Sequence, residues 1–396
     1  MAGAVTEAGP LAGLRLLECC DGFAGQWAGQ LLAELGMEVI RLESSWAESG
    51  SQSPLYLSAN RGKQSLRLNL QRPAGRDVAR RLVSRCDMLL EDQPLRALQE
   101  QGLGYEALRS IHPGLIYCSL SAFGGTGPYA GRAADDAALQ ALSGMMSFTG
   151  HADGEPGAGP LRTGPMLCET NAGLYAAVAL LAALRHRDQT GRGQHIELAL
   201  LDATLALVSH HSMAYLVTGQ DAPRAGNGNP YGAPTGLYRC ADGLAMLNGA
   251  EDRNFVKLAA VLGRPEWVSD PRFATRPERV RHQQELTAAI EERTRLRKRA
   301  ELLAAVEAQG LPCAPVNDSA AAFAEPQLRH RGMLRELALD GRVFRFVANP
   351  LRFSGVELPD PVAPPTPGEH TGQVLERVLG FSREESEQLR SEQLRS

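Results

Sequence analysis

The stretch LRLLECCDGFAGQWAGQLLAELGMEVIRLE, residues 14–43, decides the fold. It opens with an apolar run of strand length, LRLLECC, and glycines then mark a turn ahead of the helical segment QLLAELG. The run EVIRLE at 38–43 alternates apolar and polar residues like a second strand. Strand, turn, helix and strand in this order make a βαβ unit, the building block of parallel sheets.

The same alternation continues outward along the chain. Further runs of strand length lie at 64–70, 87–91, 115–123 and 195–202. Over roughly the first 200 residues this pattern predicts an α/β fold with a parallel sheet. A Gly- and Pro-rich stretch at 219–236 then marks a change of composition. We predict a large domain at 1–218, a linker and small domain at 219–335, and a return segment with a C-terminal helix packed on the large domain at 336–396.

Composition argues against several classes of protein. The chain has 396 residues, 43% of them apolar, with a net charge of −4, which disfavours nucleic acid and anionic membranes as partners. Seven scattered cysteines without a CxxC pair indicate reduced thiols, and no metal site is predicted. The longest apolar run, 172–184, is shorter than the roughly 20 residues of a membrane span, and the N-terminus lacks a leader pattern. A soluble cytoplasmic protein is expected.

One acidic residue, Glu169, lies in GPMLCETNAGLYAA (164–177), directly ahead of an alanine-rich segment that reads as a buried helix. A carboxylate there sits in the positive field of the helix dipole, which by itself is worth ~0.3–1 kcal/mol of stability. Structural and catalytic interpretations both remain open on these grounds. The neighbouring Cys168 would need a histidine partner that the sequence does not identify. The first glycine turn, GFAG, is not the GxGxxG pattern of dinucleotide sites.

Several blocks resemble the class III coenzyme A transferase family, which includes formyl-CoA transferase and CaiB-type enzymes. They include AGQWAGQLLAELGMEVIRLE, NRGKQSLRLNL, GLGYEALRSIHPGLIYCSLSAFGGTGPYAG and PPTPGEHTGQVL, in this order. The resemblance implies a large Rossmann-like domain, a smaller α/β domain and two chains interlocked in a dimer. It also implies transfer of CoA from an acyl-CoA thioester to a free carboxylic acid, with the CoA thioester as substrate and no permanently bound cofactor.

The catalytic aspartate of this family opens a D-x-x-[AG]-G motif, which here reads Glu169-Thr170-Asn171-Ala172-Gly173. The resemblance therefore implies that Glu169 is the nucleophile, forming a mixed anhydride and then an enzyme thioester with CoA. Glutamate is one methylene longer than aspartate. That moves the carboxylate by about 1 Å, and misplacement on this scale can cost ~10²-fold in rate unless the pocket is adjusted.

The resemblance also implies a CoA site at the first glycine turn and at the segment Glu91-Asp92-Gln93. The candidate contacts are Asp21, Gly22, Phe23, Ala24, Arg41, Leu68, Asp92 and Gln93. Acidic residues at 21 and 92 should weaken the binding of an anionic nucleotide. The nearby cations available to compensate are Arg41, Lys63, Arg67 and Arg96. A glycine-rich segment with Gly226, Gly228 and Gly232 resembles the active-site loop of some members, although a plain linker is equally compatible.

Two other functions compete with catalysis by a homodimeric transferase. The first is a non-catalytic subunit of a heteromeric class III transferase, in which a paralogous partner supplies the catalytic site. The second rival is a 2-methylacyl-CoA racemase, whose family carries a histidine before an aspartate. The segment here, Ala134-Asp135-Asp136, has no histidine and so lacks that base.

Overall fold

The computed structural model describes residues 9–43, 53–339 and 341–394. Most of the N-terminal segment on which the expectation about a leader rests lies outside these residues. The strands are β1 (Arg15–Cys19), β2 (Glu38–Glu43), β3 (Lys63–Arg67), β4 (Met88–Glu91), β5 (Ile116–Ser121), β6 (Gly150–His151), β7 (Gly159–Pro160), β8 (Gln194–Ala199), β9 (Thr235–Cys240), β10 (Gly243–Asn248), β11 (Cys313–Pro315), β12 (Leu334–Leu339) and β13 (Arg342–Val347).

The helices follow the strands closely in the chain. The α-helices are α1 (Phe23–Glu34), α2 (Pro54–Ala59), α3 (Pro73–Val83), α4 (Ala97–Glu100), α5 (Tyr105–Ile111), α6 (Asp136–Leu142), α7 (Met145–Phe148), α8 (Leu167–Thr190), α9 (Leu200–Leu207), α10 (Ser209–Thr218), α11 (Asp252–Val261), α12 (Arg276–Arg281), α13 (Gln283–Thr294), α14 (Arg299–Glu307), α15 (Ser319–Ala324), α16 (Pro326–His330), α17 (Thr371–Leu379) and α18 (Arg383–Leu394). A 3-10 helix spans Pro265–Val268.

Six parallel strands form the main sheet in the order β3-β2-β1-β4-β5-β8. The predicted α/β fold with a parallel sheet is confirmed. The strand order reverses between β1 and β4, because β2 and β3 are added on one side of β1 and β4, β5 and β8 on the other. In sheets of this kind the crevice for ligands opens at the carboxyl ends of the two strands that flank this switch point.

Both faces of the sheet are covered, and its central strands β1, β4 and β5 are accordingly rich in apolar residues. Leu16 and Leu90 point into a core shared with α1 and α8. Their neighbours Leu17 and Leu89 belong to a second core, shared with α3 and α17. Successive side chains of a strand alternate between the faces, so each run supplies both cores.

The chain divides into two compact units. The first comprises the chain up to Ser143, Gly164–Ser209 and the chain from His330 onward, and it contains the parallel sheet. The second comprises Gly144–Thr163 and His210–Arg329 and contains the antiparallel sheet β11-β10-β9 with its own core. The segment 144–163, placed by sequence in the large domain, clusters with the second unit. Its hydrogen bonds explain this, since the N–H of Gly226 donates to the carbonyl of Gly150 (3.0 Å).

Helix α8 is long and apolar enough to cross a membrane by length and composition alone. It extends beyond the apolar run 172–184 at both ends. One face consists of small residues packed in the core with α1, with Ala172, Ala176 and Leu180 fully buried. A buried core helix meets the same length and composition criteria, so they do not by themselves indicate a membrane span.

Candidate active site

The N-terminus of α1 lies at the switch point, and carboxylates from distant parts of the chain lie against its backbone N–H groups. The first N–H groups of any helix lack partners within the helix. Here the N–H of Asp21 donates to Oδ1 of Asp92 (2.9 Å) and that of Gly22 donates to Oδ2 (2.7 Å). A Cβ at Gly22 would lie 2.8 Å from Oδ2, so this close approach requires glycine. Asp92 thereby ties the turn after β1 to the end of β4.

The carboxylate of Glu169 lies near the same helix end, where the backbone N–H groups of Phe23 and Ala24 favour its charged form. Burial raises the pKa of Glu169, the charge of Asp136 acts in the same direction, and the two N–H donors oppose the shift. The structure thus brings the predicted nucleophile together with the first glycine turn, which sequence spacing alone does not show.

A second buried carboxylate, Asp136, supports the start of α8, and the reading of the sequence assigned it no role. Its Oδ2 accepts the N–H groups of Cys168 (2.9 Å) and Glu169 (3.1 Å). Its Oδ1 accepts from Nε2 of Gln140 (2.6 Å). The sequence does carry a signal for Asp136, the pair Asp135-Asp136 at the start of a helix. One acid is enough for an N-cap, so the second is available for another role.

Helices α1 and α8 approach each other closely at Gly173, the last residue of the family motif. A Cβ there would lie 2.6 Å from the carbonyl oxygen of Ala24 and 3.0 Å from Cδ1 of Trp27. The absence of a side chain lets α8 settle directly on α1. Because Glu169 lies one turn ahead of Gly173, this packing fixes how far its carboxylate reaches along α1.

Beneath the first turn lies a buried ion cluster that contains Arg41. Nη1 of Arg41 donates to Oε1 of Glu18 (3.0 Å) and to the carbonyl of Cys20 (2.8 Å). Nζ of Lys63 donates to the same Oε1 (3.0 Å). Burial lowers the pKa of Lys63 to about 8, with Glu18 opposing the shift. Arg41 and Lys63, considered above as contacts for CoA, are therefore held by partners within the protein.

The remaining predicted contacts are placed as follows. Leu68 is 1% exposed and lies in the core on the α3 side of the sheet. Nε2 of Gln93 donates to Oδ2 of Asp21 (3.1 Å), beside the first turn. The loop glycines belong to the second unit, where the N–H of Gly228 donates to the carbonyl of Ala225 (2.8 Å) and Gly232 packs near Arg276. Their role as an active-site loop stays a prediction.

A cavity of about 770 Å³ opens at the carboxyl ends of β4 and β5, and His195 and Glu197 of β8 form part of its wall. Asp92 and Gln93 form part of its wall, and the cations Arg96 and Arg132 lie on its rim. Arg96 has φ +73°, an uncommon backbone conformation for a residue other than glycine. The guanidinium of Arg132 lies 4.9 Å from the ring centroid of Tyr129.

Two alternative chemistries find little support at this site. Burial raises the pKa of Cys168 to about 11, so its thiol stays protonated near neutral pH and is a poor nucleophile. Within 9–43, 53–339 and 341–394, no group of three or more His, Cys, Asp or Glu side chains is arranged to hold a metal ion.

Comparisons with known proteins agree with the geometry. The chain matches the family described as CoA-transferase family III over residues 11–371. It is 37% identical over 391 residues to the succinate–glutarate CoA-transferase of Agrobacterium fabrum, covering 94% of this chain and 97% of the relative. It is 30% identical over 399 residues to the succinyl-CoA–L-malate CoA-transferase beta subunit of Chloroflexus aurantiacus, covering 97% and 98%. A CaiB/BaiF family protein from Brucella suis has a TM-score of 0.85 at 36% identity, covering 94% of this chain and 100% of that one.

Proposed function

The chain belongs to CoA-transferase family III and is a CoA transferase, and we propose that Glu169 is the nucleophile that carries the transferred group. The observation that carries this proposal is the position of its carboxylate beside the N-terminus of α1, where burial raises its pKa and the N–H groups of Phe23 and Ala24 favour its charged form. A carboxylate in that position is partly desolvated and lies near the switch point of the parallel sheet. These are the requirements for covalent catalysis by an acid side chain.

The reaction proceeds by two exchanges at the glutamyl carboxyl group. An oxygen of Glu169 attacks the thioester carbonyl of the donor, the C–S bond breaks, and CoA leaves as thiolate. The thiolate then attacks the glutamyl carbonyl of the mixed anhydride, which releases the donor acid as carboxylate and leaves a glutamyl–CoA thioester. The acceptor carboxylate reverses both steps and departs as the new acyl-CoA. No oxidant, metal or net proton is consumed.

The N–H groups of Phe23 and Ala24 have a second task in this scheme. When the thiolate attacks the glutamyl carbonyl, negative charge collects on an oxygen of Glu169. Backbone donors aimed at that oxygen, at the positive end of a helix, stabilise such charge without having to reorganise. The same pair that holds the resting carboxylate therefore serves as its oxyanion hole.

The substrates we propose are a small dicarboxylic acid and its CoA thioester, because the Agrobacterium relative is named for succinate and glutarate. The decisive experiment incubates the protein with succinyl-CoA, traps the intermediate with hydroxylamine and maps the modified peptide by mass spectrometry. We expect one hydroxamate, on Glu169, and succinyl transfer to added glutarate. CoA binding without any adduct or turnover would overturn the catalytic role. Turnover only with a co-purified paralogue would assign the chain to a heteromer, as the name of the Chloroflexus beta subunit suggests.

We propose that CoA lies along the cavity at the carboxyl ends of β4 and β5, with its phosphates near Arg96 and Arg132. Arg41 and Lys63 both donate to the carboxylate of Glu18. We therefore expect Arg96 and Arg132 to supply the positive charge that the phosphates need. Asp92, in the wall, opposes the anionic ligand when ionised.

Asp92→Asn is expected to tighten acyl-CoA binding. Burial raises the pKa of Asp92 to about 7, Asp21 and Glu18 act in the same direction, and the N–H groups of Asp21 and Gly22 oppose them. The carboxyl is mostly neutral below that pH and charged above it, so the KM of the wild type for acyl-CoA should rise between pH 6 and 8. At pH 8 the variant should have a KM lower by up to about tenfold, the equivalent of ~1.4 kcal/mol. Asp188→Asn, at the far end of α8, is the control; an equal KM in wild type and Asp92→Asn at pH 8 would contradict the placement.

We propose that the chain acts in the cytoplasm as a homodimer, with the interlocked arrangement that the family resemblance implies. Helix α8 presents exposed Leu174, Tyr175 and Val178 on the side opposite its buried face. An apolar face of this kind on a core helix is typical of a surface that a second chain covers.

Val178→Glu should therefore convert the dimer to monomer. Val178 is 62% exposed, so a charge there costs a folded monomer little, but it would be buried without a partner in an interface. Light scattering of the purified variant should give half the mass of the wild type. Ile111→Glu makes the same change at a residue that is 54% exposed on α5, and it should stay dimeric. A dimer that survives Val178→Glu would exclude this face.

A further inference from the structure

Asp136 is a buried carboxylate that accepts hydrogen bonds from the first turn of α8, which carries Glu169. It is 8% exposed, a position that is costly for a charge unless it is fully hydrogen-bonded. Three donors satisfy it: Nε2 of Gln140 from its own helix, and the N–H groups of Cys168 and Glu169 from the start of α8. Two of the three donors belong to the peptide segment from which the nucleophile projects.

Helix α8 has no cap of its own. The residue before it, Met166, offers no side-chain acceptor. The cap of α6 is Asp135, which accepts from the N–H of Ala138 (2.8 Å) and so leaves Asp136 available for α8. An external acceptor in this position takes the place of an N-cap, because it accepts N–H groups of the first turn that have no partner within the helix.

We propose that Asp136 is a positioning residue for the transfer reaction, fixing the first turn of α8 so that the carboxylate of Glu169 lies against the N-terminus of α1. The proposal rests on the proposed role of Glu169. Asp136 accepts hydrogen bonds from the N–H groups of Cys168 and Glu169, and the N–H groups of Phe23 and Ala24 favour the charged form of the Glu169 carboxylate. Release of the first contact lets the first turn fray, and the carboxylate then loses its alignment.

The charge of Asp136 has a separate effect on reactivity. Among the charged groups that face Glu169, Asp136 and Asp135 both raise its pKa, with Asp136 the larger influence after burial. A more basic carboxylate is a better nucleophile in its ionised form. Loss of the Asp136 charge should therefore lower the pKa of Glu169 and move the acid limb of kcat/KM to lower pH, since the reaction needs Glu169 ionised.

Two substitutions separate geometry from charge. Asp136→Asn keeps the size and one acceptor oxygen but removes the charge; Asp136→Glu keeps the charge but displaces the anchoring oxygens. Asp136→Glu should lower kcat by about tenfold or more, in line with the ~10²-fold that misplacement by 1 Å can cost, with little change in the KM for acyl-CoA. Asp136→Asn keeps one oxygen for both N–H groups of α8, so its kcat at high pH should stay close to that of the wild type. Only Asp136→Asn should shift the acid limb. Asp135→Asn is the matched control, because it removes a neighbouring exposed charge without touching α8, and it should keep the wild-type kcat.

The readout is the rate of hydroxamate formation on Glu169 beside steady-state kinetics, with folding checked by thermal denaturation. If the wild type forms no adduct, the proposed role of Glu169 as nucleophile fails, and the positioning role of Asp136 fails with it. If the wild type forms the adduct and folded Asp136→Glu forms it equally fast, the positioning role is refuted. Should Asp136→Asn fail to fold, Asp136→Glu alone decides between these outcomes. A kcat loss as large in Asp135→Asn would also refute it.

Discussion

Glu169→Gln is expected to lower kcat by about 10³-fold or more while leaving the fold intact. A glutamine has the same shape and can occupy the same place beside the N-terminus of α1. It lacks the anionic oxygen that must attack the thioester, so neither the anhydride nor the glutamyl thioester can form. The measurement is succinyl transfer to glutarate, with peptide mapping to show that the hydroxamate is lost.

Glu169→Asp gives the graded comparison, since it introduces the residue that the family motif carries. In this chain the close packing of α8 on α1 at Gly173 fixes the backbone from which the side chain must reach. The shorter side chain withdraws the carboxylate by about 1 Å, and we expect ~10²-fold slower transfer. Glu384→Gln, an exposed carboxylate on α18, is the control for general effects. Activity retained by Glu169→Gln would show that another group is the nucleophile.

Lys63→Met is expected to destabilise the fold by about 3–5 kcal/mol, the usual cost of removing one member of a buried ion pair. Lys63 and Glu18 have fully buried side chains. Nζ also donates to the carbonyl of Gln26 (2.8 Å) and to Oδ1 of Asn60 (3.0 Å), so the ammonium links β1, β3, α1 and the turn before β3. Methionine fills the volume but leaves these acceptors without a donor. Denaturant unfolding measures the loss.

Two controls test the reason for that loss. Lys257→Met makes the same change at an exposed lysine on α11 and should alter stability by no more than about 0.5 kcal/mol. Glu18 keeps Arg41 as a partner in Lys63→Met, so adding Glu18→Gln removes that ion pair as well, and the double variant should be less stable than the single variant. If Lys63→Met is as stable as Lys257→Met, the ion cluster contributes nothing to the fold.

Much of the large unit can be predicted from sequence because its signals are local. The runs that become β1, β4 and β5 show strand-like patterns over a few residues, and the glycine turn after β1 marks the start of α1. Glu169 is found by the same means, since a motif records residue types at short spacing. Segment 144–163 is the counterexample. Its membership in the second unit depends on hydrogen bonds to residues far along the chain, which no local pattern shows.

By itself, the sequence determined the parallel α/β fold and marked Glu169 as a carboxylate at the start of an apolar helix. Only the tertiary structure decided how the acids are used. Asp92 accepts hydrogen bonds at the N-terminus of α1, where Glu169 also lies, and Asp136 accepts them at the N-terminus of α8. Glu18 forms an ion pair with Arg41. The physical reason is that a buried charge or a free helix N–H must find a partner in space. Which partner it finds depends on packing between residues remote in the chain, whereas strand and helix patterns are set by neighbours.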